Sequence, residues 1–157
     1  MQVQTARLTL KPLPARAAAV IPHDREAAAE IVGAKIPDDW PLPDLLEVLE
    51  SLVRNEPFGA WVMIDRDLAT VVGDVGFHGP PQDGRVEIGY AVMPQFRRRG
   101  YATEASGALV EWALAQRDIS EVLARCDADN PGSIATLERN GFERTGEGQG
   151  TISWRRR

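Results

Sequence analysis

Apolar and polar residues alternate from the start of the chain. Leu8 and Leu10 share one face of a strand predicted over Ala6 to Pro12. Alanine-rich segments over Ala15 to Ile21 and His23 to Ala34 read as helices, and Pro37, Pro41 and Pro43 bracket a loop containing Trp40. Apolar residues at 45, 46, 48, 49, 52 and 53 predict an amphipathic helix from Asp44 to Asn55, with Asp44 as its cap. Three strands follow, over Trp61 to Ile64, Val71 to Phe77 and Val86 to Met93, with Gly79 to Gly84 as the turn between the last two. Ala105, Leu109, Trp112 and Ala113 form one stripe of a helix over about Thr103 to Gln116. A strand from Glu121 to Cys126, a helix from Pro131 to Asn140 stopped by Gly141, and a hairpin over Phe142 to Trp154 complete the pattern. Arg155 to Arg157 reads as a solvated tail.

Strand, helices, antiparallel strands, helix, strand, helix, strands is the order of a mixed α+β fold, not of regular βαβ alternation. With 157 residues, no internal repeat and no boundary in composition, the chain reads as a single domain over 1–157. No apolar run approaches the roughly 20 residues of a membrane span, and the N-terminus lacks the apolar core of a signal peptide. The lone Cys126 cannot form an internal disulfide, which fits a reducing cytoplasm. A net charge of −5 argues against general nucleic-acid binding and mildly favours cationic partners such as amines.

The chemistry concentrates between Glu87 and Ala105, EIGYAVMPQFRRRGYATEA. A strand ends at Pro94, a basic turn carries Arg97, Arg98 and Arg99, and Gly100 precedes a helix. The first turn of a helix has unpaired N–H groups and the positive end of its dipole, so it receives phosphate oxygens. Glycine allows the backbone to approach such a ligand closely, and arginines around the turn add charge.

Arg97-x-x-Gly100-x-Ala102 resembles the acyl-CoA signature of the GNAT N-acetyltransferases. The flanks EIGYAVMP and GYATEA resemble the Rim-type (RimJ/RimL-like) branch, as do TARLTLKPL near the start and Asn130-Pro131-Gly132-Ser133 followed by LERNGF. The resemblance runs from about residue 5 to the end. It implies a mostly antiparallel central sheet flanked by helices and splayed between its fourth and fifth strands, with acetyl-CoA in the wedge. By that resemblance, backbone groups of Val92 and Met93 pair with the cofactor's pantetheine arm. Arg97, Arg98, Arg99, Gly100, Tyr101, Ala102 and Thr103 surround its pyrophosphate, and Asn130 contacts the arm.

An amine attacks a thioester only when neutral. A lysine-like amine of pKa ~10.4 costs about 4.6 kcal/mol to deprotonate at pH 7, and an α-amine near 7.8 about 1 kcal/mol. Glu87 matches a position where several family members carry a catalytic glutamate, which makes it a base; as a carboxylate pairing an arginine it is scaffold. Many members carry a tyrosine seven residues after the asparagine to serve the leaving thiolate. Here that position is Leu137, and Ser133 is the substitute the Rim-type pattern suggests. The Met93 N–H is the expected oxyanion donor. Asp38, Asp39 and Trp40 fall in the region that covers the acceptor's entrance in the family, where two carboxylates attract a cation and an indole forms an apolar or cation–π wall.

Other motifs offer less. Gly146-x-Gly148-x-Gly150 precedes no helix and reads as a hairpin turn. His23 and His78 lack metal-ligand spacing and read as surface or loop residues, and Cys126 lies in no nucleophile motif. The expectation is direct acetyl transfer from acetyl-CoA to a primary amine, on a small molecule or a protein N-terminus, in a ternary complex. A non-catalytic acyl-CoA-binding module and an N-acyltransferase for longer acyl groups share the same motifs. The sequence leaves monomer and homodimer open.

Overall fold

The computed structural model describes residues 1–157. Eight strands form one sheet in the spatial order β1-β2-β3-β4-β5-β6-β8-β7. The strands are β1 (Val3–Gln4), β2 (Leu8–Pro12), β3 (Ala60–Asp65), β4 (Thr70–Phe77), β5 (Arg85–Val92), β6 (Glu121–Asp127), β7 (Glu143–Gly148) and β8 (Thr151–Arg156). The helices are α1 (Ala15–Val20), α2 (Arg25–Val32), α3 (Pro43–Leu52), α4 (Tyr101–Leu114) and α5 (Pro131–Arg139). The expected α+β architecture is present.

All neighbouring strands run antiparallel except β5 and β6. These two pair in parallel only through Arg85–Glu87 and Glu121–Leu123, and then diverge. This is the splay expected between the fourth and fifth sequence strands, which the additional short β1 makes β5 and β6, and it leaves the rest of β5 with one open edge. The closed end is held by Glu121, which accepts a hydrogen bond from Arg85 Nε at 3.0 Å and lies 3.8 Å from Arg155 Nε.

The sheet separates two apolar clusters. On one face Ala105, Leu109, Val110 and Ala113 of α4 and Leu137 of α5 pack on Val75, Phe77, Val86 and Ile88. Trp112 completes an aromatic group with Phe58, Trp61 and Phe77. On the other face α1 to α3 cover Val62, Ile64 and Val71, with Trp40 fully buried among them.

Three local expectations need correction. Asp44 does not cap α3: the helix begins at Pro43, which has no N–H to cap, and Asp44 lies in the first turn. The terminal arginines are not a free tail. Arg155 and Arg156 belong to β8, where Arg155 Nε donates to Glu143 at 2.8 Å and Arg156 pairs with Glu111. The strand β1 was not expected, because two residues carry no periodic signal.

Candidate functional site

The helix α4 starts where the sequence places its glycine. Gly100 holds φ 83° at the N-cap, and Arg98, two residues earlier, holds φ 64°. Such left-handed residues turn successive N–H groups inward, forming a concave anion seat. No side chain caps the helix, and Glu104 N–H donates to Gly100 O, so the N–H groups of Tyr101, Ala102 and Thr103 have no partner in the helix. Arg7 Nε bonds Glu104 Oε1 at 2.8 Å and so keeps the carboxylate of the first turn occupied. The Tyr101 phenol turns into the core and donates to Asp65.

This N-terminus opens on a cavity of about 760 Å³ between the open edge of β5, the start of α4 and α5. Val92, Arg97, Arg98, Gly100, Tyr101, Ala102, Thr103, Asn130 and Ser133 line it, as does Arg139, which nothing in the sequence singled out. Arg97 Nε is fixed by Val92 O at 2.9 Å. Asn130 Oδ1 caps α5 by accepting from Ser133 N–H at 3.1 Å. Its amide N–H₂ has no protein acceptor. Three N–H groups, three arginines and an open strand edge fit a ligand that carries a pyrophosphate at one end and amide groups along its arm.

Two expected contacts are absent. Arg99 does not line the cavity; its guanidinium lies 5.6 Å from the centre of the Phe96 ring. Met93 is fully buried, its N–H donates to Val72 O at 2.9 Å, and its carbonyl accepts from Phe96 N–H at 2.9 Å. Its N–H is therefore not free to hold an oxyanion or a pantetheine carbonyl. The cause is register. Met93 to Val72 and His78 to Glu87 define the ladder, so odd-numbered residues of β5 face β4. The even-numbered Tyr90 and Val92 turn their peptide groups to the splayed edge.

A second cavity, of about 730 Å³, lies across β5, under α3. Its floor is the row Asp74–Ala91 and Gly76–Gly89 of paired residues, with His78 at one end. Small side chains leave this floor open: a Cβ on Gly89 would stand 2.7 Å from His78 Nε2. Asp44 and Glu47 of α3 add acidic groups, and no lysine or arginine is among the lining residues. Burial pushes the Asp74 carboxyl up to about 7, against the lowering effect of the hydrogen bond from Trp40 Nε1 at 3.0 Å.

The two cavities share Tyr90 and Ala91. The Tyr90 hydroxyl lies 2.8 Å from Ser133 Oγ. Burial raises the Tyr90 pKa above that of a free phenol, so it remains protonated and able to donate. Leu137, at the position where many family members carry a tyrosine, is buried in the core. Tyr90 stands in the sequence as the fourth letter of EIGY, flanked by glycine and alanine, but only the register shows where it points.

The acceptor-side expectations move. Asp38 and Asp39 are exposed and line neither cavity; Asp39 accepts from Gln95 Nε2 at 3.3 Å. Trp40 is a core residue that reaches the second cavity only through its bond to Asp74. Glu87 lines neither cavity. Its Oε2 accepts from His78 Nδ1 at 2.7 Å and Arg125 Nη2 at 3.2 Å, and these partners, His78 first, hold its carboxyl below the usual range. That geometry suits a scaffold. His78, read from sequence as a surface or loop residue, is exposed but faces the second cavity, oriented by Glu87.

Residues 7–143 match the acetyltransferase (GNAT) domain family. The chain belongs to the GNAT acetyltransferase family. A Bacillus subtilis protein named as the uncharacterised N-acetyltransferase YjdG is 38% identical over 128 residues, which are 76% of each chain. A second B. subtilis relative, the uncharacterised N-acetyltransferase YoaA, is 28% identical over 103 residues, 65% of this chain and 58% of that one. Among solved structures, an Agrobacterium tumefaciens acetyltransferase aligns with a TM-score of 0.72 at 24% identity, covering 100% of this chain and 94% of that one. The structure of RimL, a ribosomal L7/L12 α-N-protein acetyltransferase in complex with coenzyme A, has the same fold: TM-score 0.72, 17% identity, 99% and 97% coverage. As a GNAT N-acetyltransferase, the protein uses acetyl-CoA. No helix is long and apolar enough to cross a membrane.

Proposed function

We propose that this chain, as a single catalytic domain, transfers acetyl directly to a cationic primary amine held in a ternary complex. The observation that carries this reading is the junction at Tyr90, where an anion-binding cavity meets an acidic one. In this proposal Arg97, Arg98, Arg139 and the N–H groups of 101–103 hold the pyrophosphate, and Asn130 with the open edge at Tyr90 and Val92 holds the arm. Bound there, acetyl-CoA supplies a thioester carbonyl to a neutral amine. Tyr90 and Ser133 donate a proton to the departing sulfur in place of the missing tyrosine at 137. Cys126 is not an acyl carrier: it is buried, and Trp154 Nε1 donates to its Sγ at 3.3 Å.

For the acceptor we propose a protein N-terminus, consistent with a placement in the Rim-type branch and with the names of neighbours such as RimL. The cavity under α3 is open enough for an extended peptide end, and Val48 of α3 lines it while remaining half exposed. A small-molecule amine is the second reading, favoured by the acidic lining. We place the reaction in the cytoplasm, as the unpaired Cys126 suggests. The test is acceptor-dependent CoA release over a panel of peptides with free N-termini and small amines. Release with peptides above that with small amines supports the first choice. No acceptor-dependent release with any member of the panel identifies a binding module instead.

A further inference from the structure

With Glu87 tied to His78 and Arg125, the acceptor's ammonium still needs a group to take its proton. The floor of the second cavity contains one. Asp74 is 8% exposed, on the central strand β4, opposite Ala91. Its Oδ2 accepts from Trp40 Nε1. Its Oδ1 accepts no hydrogen bond from the protein, yet no buried side-chain oxygen of the molecule lacks both a partner and access to open space. Oδ1 therefore opens on the cavity whose floor Asp74 forms.

The charged surroundings leave this carboxylate without a resident cation. Asp44 and Glu47 face the cavity from α3, His78 lines it from just beyond the end of β4, and Tyr90 of β5 borders it. Glu87, beyond His78, is neutralised by its own partners. Arg25 of α2, behind Trp40, donates to the carbonyls of Pro37 and Trp40. A buried carboxylate with one free oxygen and no counter-ion is a costly arrangement that an incoming ammonium relieves.

We propose that Asp74 binds the acceptor's ammonium through Oδ1 and takes the proton the amine must lose before it attacks. This rests on the reading of the second cavity as the acceptor site. A protonated amine, R–NH₃⁺, gives one proton to the Asp74 carboxylate and becomes R–NH₂. As the new C–N bond forms and the C–S bond breaks, the nitrogen loses a second proton. That one goes to the sulfur, through Tyr90 and Ser133. Asp74 then releases its proton to solvent, so the sum is one amide, one thiol and one free proton. A carboxyl pushed up to about 7 by burial suits a base at neutral pH. Trp40, which fixes Oδ2, is a positioning residue in this scheme.

The first test needs no turnover. In protein labelled with ¹³C at the aspartate carboxyls, one resonance titrates far above the others. It is assigned to Asp74 by its loss in Asp74→Asn, or by its proximity to the Trp40 indole N–H if that variant does not fold. Methylammonium chloride, compared with tetramethylammonium chloride at equal ionic strength, lowers that midpoint by about one unit, because only methylammonium donates a hydrogen bond to Oδ1. Equal midpoints in the two salts overturn the proposal. The second test uses the best acceptor of the panel. Asp74→Asn, which still accepts from Trp40, loses on the order of 100-fold in kcat/KM for the acceptor at neutral pH. Its residual rate rises with the fraction of free amine, and KM for acetyl-CoA stays within about twofold. A wild-type pH profile in Asp74→Asn overturns the proposal. A wild type inactive on every amine refutes the acceptor reading, and the methylammonium titration then still decides Asp74.

Discussion

The Tyr90 hydroxyl and Ser133 Oγ stand 2.8 Å apart, joining the open edge of β5 to the first turn of α5. Two hydroxyls in contact behave as one donor to the leaving sulfur, so removing either removes most of the effect. Tyr90→Phe and Ser133→Ala each lower kcat by roughly 10- to 100-fold, and the double variant is little worse than the worse single one. KM for acetyl-CoA changes little. Steady-state kinetics of the three variants check this.

Gly100 stands at φ 83°, with Arg7 Nη2 3.4 Å from the position of an added Cβ. Gly100→Val strains that conformation by roughly 1–3 kcal/mol and disorganises the N–H groups it aims. CoA binding, measured by calorimetry, weakens about 10-fold or more. Arg99→Ala, outside the cavity, leaves it within about threefold, well under 1 kcal/mol.

Glu87 orients His78 and pairs with Arg125. Glu87→Gln still bonds both partners and costs less than about 10-fold in kcat/KM, against the roughly 100-fold or greater loss expected of a base. Rates near pH 6.5, where deprotonating the amine is hardest, give the sharpest comparison.

Asp74 links the acceptor cavity to stability. Its carboxyl is raised from 3.8 to about 7 in the folded state. Between those values the folded protein binds the proton more tightly than the unfolded chain, so stability falls as pH rises through this window. Asp74→Asn removes that penalty. Chemical denaturation of both proteins shows little difference near pH 4, and an advantage to the variant that grows to a few kcal/mol by about pH 8.

Much of the fold could be read from the sequence because its signals are local. Alternation marked Leu8 and Leu10, a helical stripe marked Ala105, Leu109 and Ala113, and Gly100 marked a turn into a helix. The phosphate seat was legible for the same reason, since its donors are consecutive. The acceptor side was not. Asp74 and His78 share one face with Gly89 and Ala91 only through the register of β4 on β5, while Tyr90, of opposite parity, turns to the other face and meets Ser133; a shift of one residue would exchange these faces. Met93 failed as a donor by that same parity. Asp38 and Asp39 drew notice as neighbouring acids, whereas Asp74 lies within an apolar strand, VVGDVGF.

The central claim is that acetyl passes directly from one cavity to the other at Tyr90. Initial velocities over a grid of acetyl-CoA and acceptor concentrations test it most directly. Direct transfer predicts double-reciprocal lines that intersect, with no acetyl left on the protein after acetyl-CoA is removed. Parallel lines, with acetyl retained by the protein in the absence of acceptor, would contradict it.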